Sequence, residues 1–315
     1  MSLAPELIAP DAAGLRAAAR ALREGRLVAF PTETVYGLGA HALDADAVRR
    51  VFAVKGRPAT SPLIVHVASI EAARALVTTW PDAAERLAQA HWPGPLTLVL
   101  PKRDVVPDAV TAGLGTVGLR VPAHPVALAL LREAAIPIAA PSANRFTRLS
   151  PTRAEHVRDA FSRDEVAMVI EGGVSEVGIE STVVSLAGPE PVLLRPGVLD
   201  LPGLRRAFEG GPGAHAAPGQ HEAHYQPRTP LFLAGEHLPA GRGAYVWHTT
   251  PREAAHTVRL PADARGYAAR LYDTLHALDG GDWAWIALEP VPDEASWEGV
   301  RDRLRRATAR GRVTD

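Results

Sequence analysis

The chain has 315 residues, 47% of them hydrophobic, which exceeds one average domain and suits two, each with a packed core. Lys and Arg number 34 against 35 Asp and Glu, so any attraction for nucleic acid must come from a local cluster of cations. Cysteine is absent, which excludes disulfides, thiolate zinc sites and thiol nucleophiles, and no apolar run approaches the roughly 18 residues of a membrane span, so a cytoplasmic protein with no membrane partner is expected.

Residues 11–24 predict a helix: Asp11 can cap it, Leu15, Ala18, Ala19 and Leu22 recur on one face, and Gly25 stops it. The apolar strand Arg26–Phe30 follows, and the run Pro31-Thr-Glu-Thr-Val-Tyr-Gly-Leu-Gly39 reads as a turn filled with hydroxyls and glycines. A helix over 46–54 closes at Gly56, and Leu63–Val67 is apolar enough for a strand buried on both faces. Then come a helix over 83–90, strands over 96–100 and 117–121, a helix over 125–133, a strand over 136–140, a helix over 152–160, and strands over 166–170, 181–186 and 192–195. This alternation predicts an α/β domain with a mixed sheet over residues 1–208. Glu209–Gln220 has too little apolar content to pack, so residues 209–229 read as a linker. Beyond it, strands over 231–234, 244–247 and 283–288 and helices over 262–278 and 294–309 predict a small α/β unit over 230–315.

The chain lacks the Gly-x-x-x-x-Gly-Lys-Ser/Thr phosphate loop, the His-Glu-x-x-His pair and the Gly-x-Ser-x-Gly elbow. Four cations stand out instead. Lys55 and Arg57 sit at a helix C-terminal end, where the dipole favours cations whatever their function. Arg120 and Arg195 each close an apolar strand, the region of an α/β sheet where ligands usually bind. Four cations in one crevice repel one another unless anions bind, and arginine forks suit phosphate and carboxylate.

Hydroxyls form the second set: Thr32, Thr34, Thr116, Ser142 beside Asn144, Ser150, Thr152 and Ser181. Ser142 follows an apolar strand and is delivered to a sheet edge, whereas Ser150 or Thr152 could equally cap the helix that begins at 152. Glu180 reads either as a general base or as a carboxylate that holds its loop, and His66 either as a ligand contact or as a core histidine. The remaining histidines have no metal-ligand spacing, and no metal site is assigned.

The motifs Pro31–Gly39, Lys55–Pro58, Pro62–His66, Trp92–Leu98, Thr116–Pro125, Pro137–Asn144, Ser150–Thr152, Gly178–Thr182 and Leu194–Gly197 occur in an order that resembles the YrdC-type threonylcarbamoyl-AMP synthase family. His224-Tyr-Gln-Pro227 resembles the His-Tyr-x-Pro element of its longer, two-domain branch. The resemblance implies a twisted mixed α/β sheet with a large concave cleft, followed by a smaller Rossmann-like domain, with the linker closing over the site. It implies the synthesis of threonylcarbamoyl-adenylate and diphosphate from L-threonine, bicarbonate and ATP for tRNA modification, with Mg2+ accompanying ATP. Carried over by position, Thr32, His66, Arg120 and Ser181 surround L-threonine, while Lys55, Arg57, Thr116, Ser142, Asn144, Ser150, Arg195 and Tyr225 contact ATP. Lys55, Arg57 and Arg195 carry the catalysis by neutralising charge in a displacement at phosphorus. Implied partners are the downstream threonylcarbamoyl-transfer machinery and, through the basic concave surface of related domains, RNA. Ser61 stands where the family has asparagine, and Arg145–Leu149 replaces a more compact loop. The carbamoyltransferase of hydrogenase maturation shares this domain type, but its cysteine zinc fingers are missing from this chain.

Overall fold

A computed structural model of the protein describes residues 3–207 and 224–309. The first unit runs β1 (Glu6–Ile8), α1 (Ala12–Arg23), β2 (Val28–Phe30), β3 (Gly37–His41), α2 (Ala45–Lys55), β4 (Ile64–His66), α3 (Ile70–Arg74), α4 (Asp82–His91), β5 (Leu96–Pro101), α5 (Asp108–Thr111), β6 (Thr116–Arg120), α6 (Pro125–Ala134), β7 (Ile138–Ala139), α7 (Ala154–Ala160), β8 (Met168–Ile170), β9 (Thr182–Ser185), β10 (Val192–Arg195) and β11 (Arg205–Arg206). Its strands form one 11-stranded mixed sheet in the order β1-β8-β2-β3-β7-β4-β6-β5-β9-β10-β11.

The period of two in the strands puts a core on each face. Along the first strand Leu27 and Ala29 enter the core shared with α2, α4 and α7, while Val28 and Phe30 enter the one built with α1 and α6. Asp11 caps α1 as expected, its carboxylate accepting from the Gly14 amide at 2.8 Å.

The second half of Pro31–Gly39 is strand rather than turn. Gly37 to His41 pair antiparallel with β2 on one side and, through Ala40 and His41, with β7 on the other. The glycines are required by packing: a Cβ on Gly39 would lie 3.0 Å from both the Phe30 ring and the Ile138 side chain. The helix expected from 152 begins at Ala154 behind Arg153, and neither Ser150 nor Thr152 caps it.

The second unit comprises β12 (Leu231–Leu233), β13 (Gly243–Trp247), β14 (His256–Arg259), α8 (Ala264–Asp279), β15 (Trp285–Leu288) and, after a 3₁₀ turn, α9 (Glu298–Ala307). Its 4 strands form a wholly parallel sheet, β12-β15-β13-β14. Strand β14, which the sequence reading omitted, is a largely exposed edge with little apolar patterning.

The two units share a core. Val35, Leu149 and Ile179 of the first are buried in one cluster with Tyr267, Tyr272, Val300 and Leu304 of the second. Gly299 of α9 lies so close to Gly197 that a Cβ on it would meet the Gly197 carbonyl oxygen at 2.3 Å. The linker expected over 209–220 falls outside the described residues, whereas His224 to Thr229 lie within them.

Candidate active site

Strand ends deliver the site. Thr32 and Thr34 follow β2, His66 closes β4, Arg120 closes β6, Ser142 follows β7, Ser181 leads into β9 and Arg195 closes β10; all line one cavity, joined by Arg57 and Tyr225. Parallel pairing of β4 with β6 sets His66 directly opposite Arg120. The cavity measures about 50 Å³, room for a few waters.

On one wall the Thr32 hydroxyl donates to the Val35 carbonyl at 2.6 Å and accepts from the Thr34 and Val35 amides at 3.3 and 3.2 Å, a local hydroxyl turn. The Thr34 hydroxyl accepts from Arg120 Nη1 at 2.9 Å, and Arg120 Nε donates to the Gly94 carbonyl at 3.2 Å. Arg120 Nη2 closes on Glu33 at 2.7 Å with both side chains buried. Burial alone would raise the Glu33 carboxyl, but the charge and hydrogen bond of Arg120 outweigh it and hold the group below the usual carboxylate range.

On the other wall Arg195 donates from Nε to the Ser181 carbonyl at 3.0 Å and from Nη2 to the Ser181 hydroxyl at 3.1 Å, which in turn lies 2.8 Å from the Thr97 hydroxyl. Arg57 donates from Nη2 to the Ser61 hydroxyl at 2.5 Å and to the Pro62 carbonyl at 3.1 Å. Ser61, the residue that departs from the family pattern, is thus the support of a cation lining the cavity. Burial, with the charge of Arg195 adding to it, pushes Arg57 down to about 10, still charged at neutral pH. His66 is buried edge-on to Phe30, with ring centroids 6.0 Å apart. Burial first and the Arg120 charge second press its pKa down to about 3, so the ring is neutral across the physiological range.

Lys55, Thr116, Asn144 and Ser150 do not line this cavity. Lys55 does not serve the carbonyls of its own helix end; its Nζ donates at 2.5 Å to the carbonyls of Ser142 and Asn144. Asn144 Nδ2 donates at 2.8 Å to the carbonyls of Arg145 and Arg148, and so folds the loop that follows. Thr116 lies on the same face of β6 as Arg120 at the strand's other end, about 13 Å away at 3.3 Å per residue.

Ser150 is fully buried and its hydroxyl donates to Glu180 Oε1 at 2.5 Å. Glu180 Oε2 accepts from Arg303 Nε at 2.8 Å and from the Tyr272 hydroxyl at 3.3 Å. A carboxylate committed to these partners holds its loop; it is not the general base that the sequence left open. Burial would raise it, yet the charges of Arg303 and Arg195 hold it below the usual range.

Tyr225 satisfies two readings at once. It lines the cavity, and it is buried in the second unit's core, its ring 5.6 Å from Tyr272 and 5.6 Å from the Arg303 guanidinium. Its φ of 62° lies in the left-handed region that a bulky residue rarely adopts. The segment is stitched to both units: the His224 amide donates to the Arg306 carbonyl at 3.2 Å and the Gln226 amide to the Thr147 carbonyl at 2.8 Å.

Among the described residues no group of three or more His, Asp or Glu side chains could hold a metal ion. Glu33 and Glu180 are each committed to an arginine, so the protein's own donors do not build a magnesium site. Also among those residues, no helix is long and apolar enough to cross a membrane. The sequence reading passed over Glu33 and Arg303. Glu33 had a signal, an acidic residue inside the Pro-Thr-Glu-Thr run beside a strand end, whereas Arg303 had none, since its partner is 123 residues away.

The model of the Sua5/YciO/YrdC family, described as telomere recombination, matches residues 20–197, and the Sua5 C-terminal model, described as threonylcarbamoyl-AMP synthase, C-terminal domain, matches residues 197–309. The threonylcarbamoyl-AMP synthase of Pyrococcus abyssi is 40% identical over 93% of this chain and 94% of its own length. That of Bacillus subtilis is also 40% identical, over 94% of this chain and 93% of its own. The crystal structure of P. abyssi Sua5 complexed with L-threonine superposes with a TM-score of 0.88 at 38% identity, covering 96% of this chain and 97% of that one. With two family models laid end to end and relatives matched over nearly their full lengths, the chain belongs to the two-domain threonylcarbamoyl-AMP synthases of the Sua5/YciO/YrdC family, enzymes of the nucleotidyltransferase type.

Proposed function

We propose that this enzyme joins L-threonine, bicarbonate-derived carbon dioxide and ATP into threonylcarbamoyl-adenylate, releasing diphosphate, in the cavity bounded by Thr32, His66, Arg120, Ser181 and Arg195. The observation that carries the proposal is the convergence of Arg57, Arg120 and Arg195 on one cavity, of which Arg120 is neutralised by Glu33, while Lys55 and Arg57 have no carboxylate at ion-pair distance among the described residues. Such a cluster calls for anionic ligands, and a triphosphate with an amino-acid carboxylate supplies them.

Threonine takes the wall of Thr32, His66, Arg120 and Ser181, where a neutral imidazole and hydroxyls face an arginine. ATP takes Arg57, Ser142, Arg195 and Tyr225, and an extended nucleotide can also span the about 13 Å along β6 to Thr116. Lys55, Asn144 and Ser150 act behind this surface, holding the backbone of 142–148 and the carboxylate of Glu180. The threonine amine forms a carbamate with carbon dioxide. A carbamate oxygen attacks the α-phosphorus of ATP, the new P–O bond forms, and the bond to diphosphate breaks. Positioning and charge neutralisation suffice, which agrees with an inventory holding no uncommitted acid and base pair. Magnesium enters with ATP on its phosphates and waters.

A cavity of about 50 Å³ is far smaller than these substrates, so admission requires the 224–226 segment to withdraw and product formation requires it to return. The product then passes to the machinery that modifies tRNA. The test is diphosphate release by the purified chain: it is expected only when threonine, bicarbonate and ATP are all present, and release independent of threonine would sink the reading.

A further inference from the structure

We propose that Arg303, on α9 of the second unit, is the positioning residue through which that unit sets the geometry of the active site; the inference rests on the proposed reaction taking place in the cavity described above.

Arg303 is completely buried, the largest side chain in the molecule that is so enclosed. Its guanidinium donates from Nε to the Glu180 carboxylate at 2.8 Å, from Nη2 to the Glu180 carbonyl at 3.1 Å and from Nη1 to the Pro196 carbonyl at 2.9 Å. Glu180 precedes Ser181 and Pro196 follows Arg195, so one planar fork ties together from behind the two segments whose next residues face the cavity. In front, Arg195 makes the reciprocal tie to the Ser181 carbonyl and hydroxyl. The same guanidinium lies 5.6 Å from the ring of Tyr225, a third cavity residue.

The seat is built for close approach, since Gly299, one turn earlier on α9, abuts the Gly197 carbonyl where any side chain would clash. Asp302 Oδ2, 3.0 Å from Nη1, orients the fork and shares its charge with Arg305 and Arg306. A lysine could neutralise Glu180 but could not reach both carbonyls in a fixed plane, because its single ammonium lacks the fork. The requirement is therefore for guanidinium geometry and not for charge alone.

Arg303→Lys separates this role from mere support of the fold. Steady-state diphosphate release and thermal melting are compared with those of wild type and of Arg153→Ala, which removes the partly exposed ion pair to Asp273 that also links the units. Positioning predicts that Arg303→Lys melts within a few degrees of wild type while kcat/KM for ATP falls at least tenfold, and that Arg153→Ala keeps its kcat/KM even where its melting temperature drops. Should Arg303→Lys fail to fold, Arg303→Met combined with Glu180→Gln leaves no unpaired charge on that carboxyl and is expected to show the same loss of kcat/KM. Wild-type kcat/KM in either folded variant, or a loss in Arg153→Ala that matches it, overturns the proposal. Should the wild type itself release no diphosphate, the proposed reaction fails instead, and the ATP affinity of Arg303→Lys, measured by calorimetry, decides the positioning role: a tenfold weakening upholds it and an unchanged affinity overturns it.

Discussion

Arg120 and Glu33 form an ion pair of 2.7 Å inside the protein, between a strand end and the hydroxyl turn that faces it. The pair fixes Arg120 while its Nη1 serves Thr34, so one carboxylate keeps a cation in place beside a cavity that needs cations. Glu33→Gln preserves the shape and removes the charge, and breaking a buried pair in this way costs about 3 kcal/mol. The folded pKa of Glu33 lies below the ordinary 4.5, so its contribution is complete above 4.5 and is lost as pH falls through the lower folded value. Urea unfolding at pH 7 is expected to separate the proteins by that amount, with the gap narrowing below pH 4.5. A gap that widens in acid would contradict the pairing.

Arg195→Ala tests the opposite wall. A charge-assisted contact to phosphate is worth about 1.5 to 3 kcal/mol, so ATP affinity is expected to fall roughly ten- to a hundredfold. Stability changes little, because the deletion costs two hydrogen bonds to Ser181 but also removes a buried cation crowded by Arg57 and Arg303. Calorimetric titration with ATP and a melting curve decide it: unchanged affinity, or collapse of the fold, removes Arg195 from the phosphate site.

His66 gives a prediction in pH. Burial and Arg120 depress it from 6.5 to about 3, so the unfolded chain takes up a proton in a range where the folded protein does not. Stability therefore falls as pH drops below 6.5, by about 2 kcal/mol at pH 5 from this group, and the fall continues toward pH 3. Unfolding free energies at pH 7 and 5 are expected to differ less in His66→Gln than in wild type. Threonine kcat/KM should carry no limb near pH 6.5 that the same substitution abolishes; finding one would mean that the imidazole titrates in the working enzyme.

The cations at 57, 120 and 195 were legible from sequence because an arginine that ends an apolar strand in an α/β sheet has few places to go except the ligand edge. Helix α1 was legible through its Asp11 cap and its 3.6-residue apolar spacing. Strand β3 was not, because Gly37 and Gly39 read as turn residues until the Phe30 ring is seen packed against them. Ser150 could not be placed either: its partner Glu180 is 30 residues on and is itself fixed by Arg303, a contact no local pattern encodes.

Tyr225 offers the last test, because it combines a cavity-lining ring with a φ of 62°. Left-handed backbone costs a bulky residue of order 1 kcal/mol or more and costs glycine almost nothing, so the strain persists only because the ring is needed where it sits. Three substitutions separate the parts. Tyr225→Phe retains the ring between Tyr272 and Arg303 and is expected to keep most of the product yield. Tyr225→Ala loses the ring and keeps the strain, so it loses activity and is the least stable of the three. Tyr225→Gly loses the ring but relieves the backbone, so it should melt above the alanine variant while being equally impaired in threonylcarbamoyl-adenylate formation. Measuring melting temperature and adenylate yield for all three under identical threonine, bicarbonate and ATP sorts the outcomes. If alanine and glycine melt together the strain is not real, and if either retains wild-type yield the ring does not close the site.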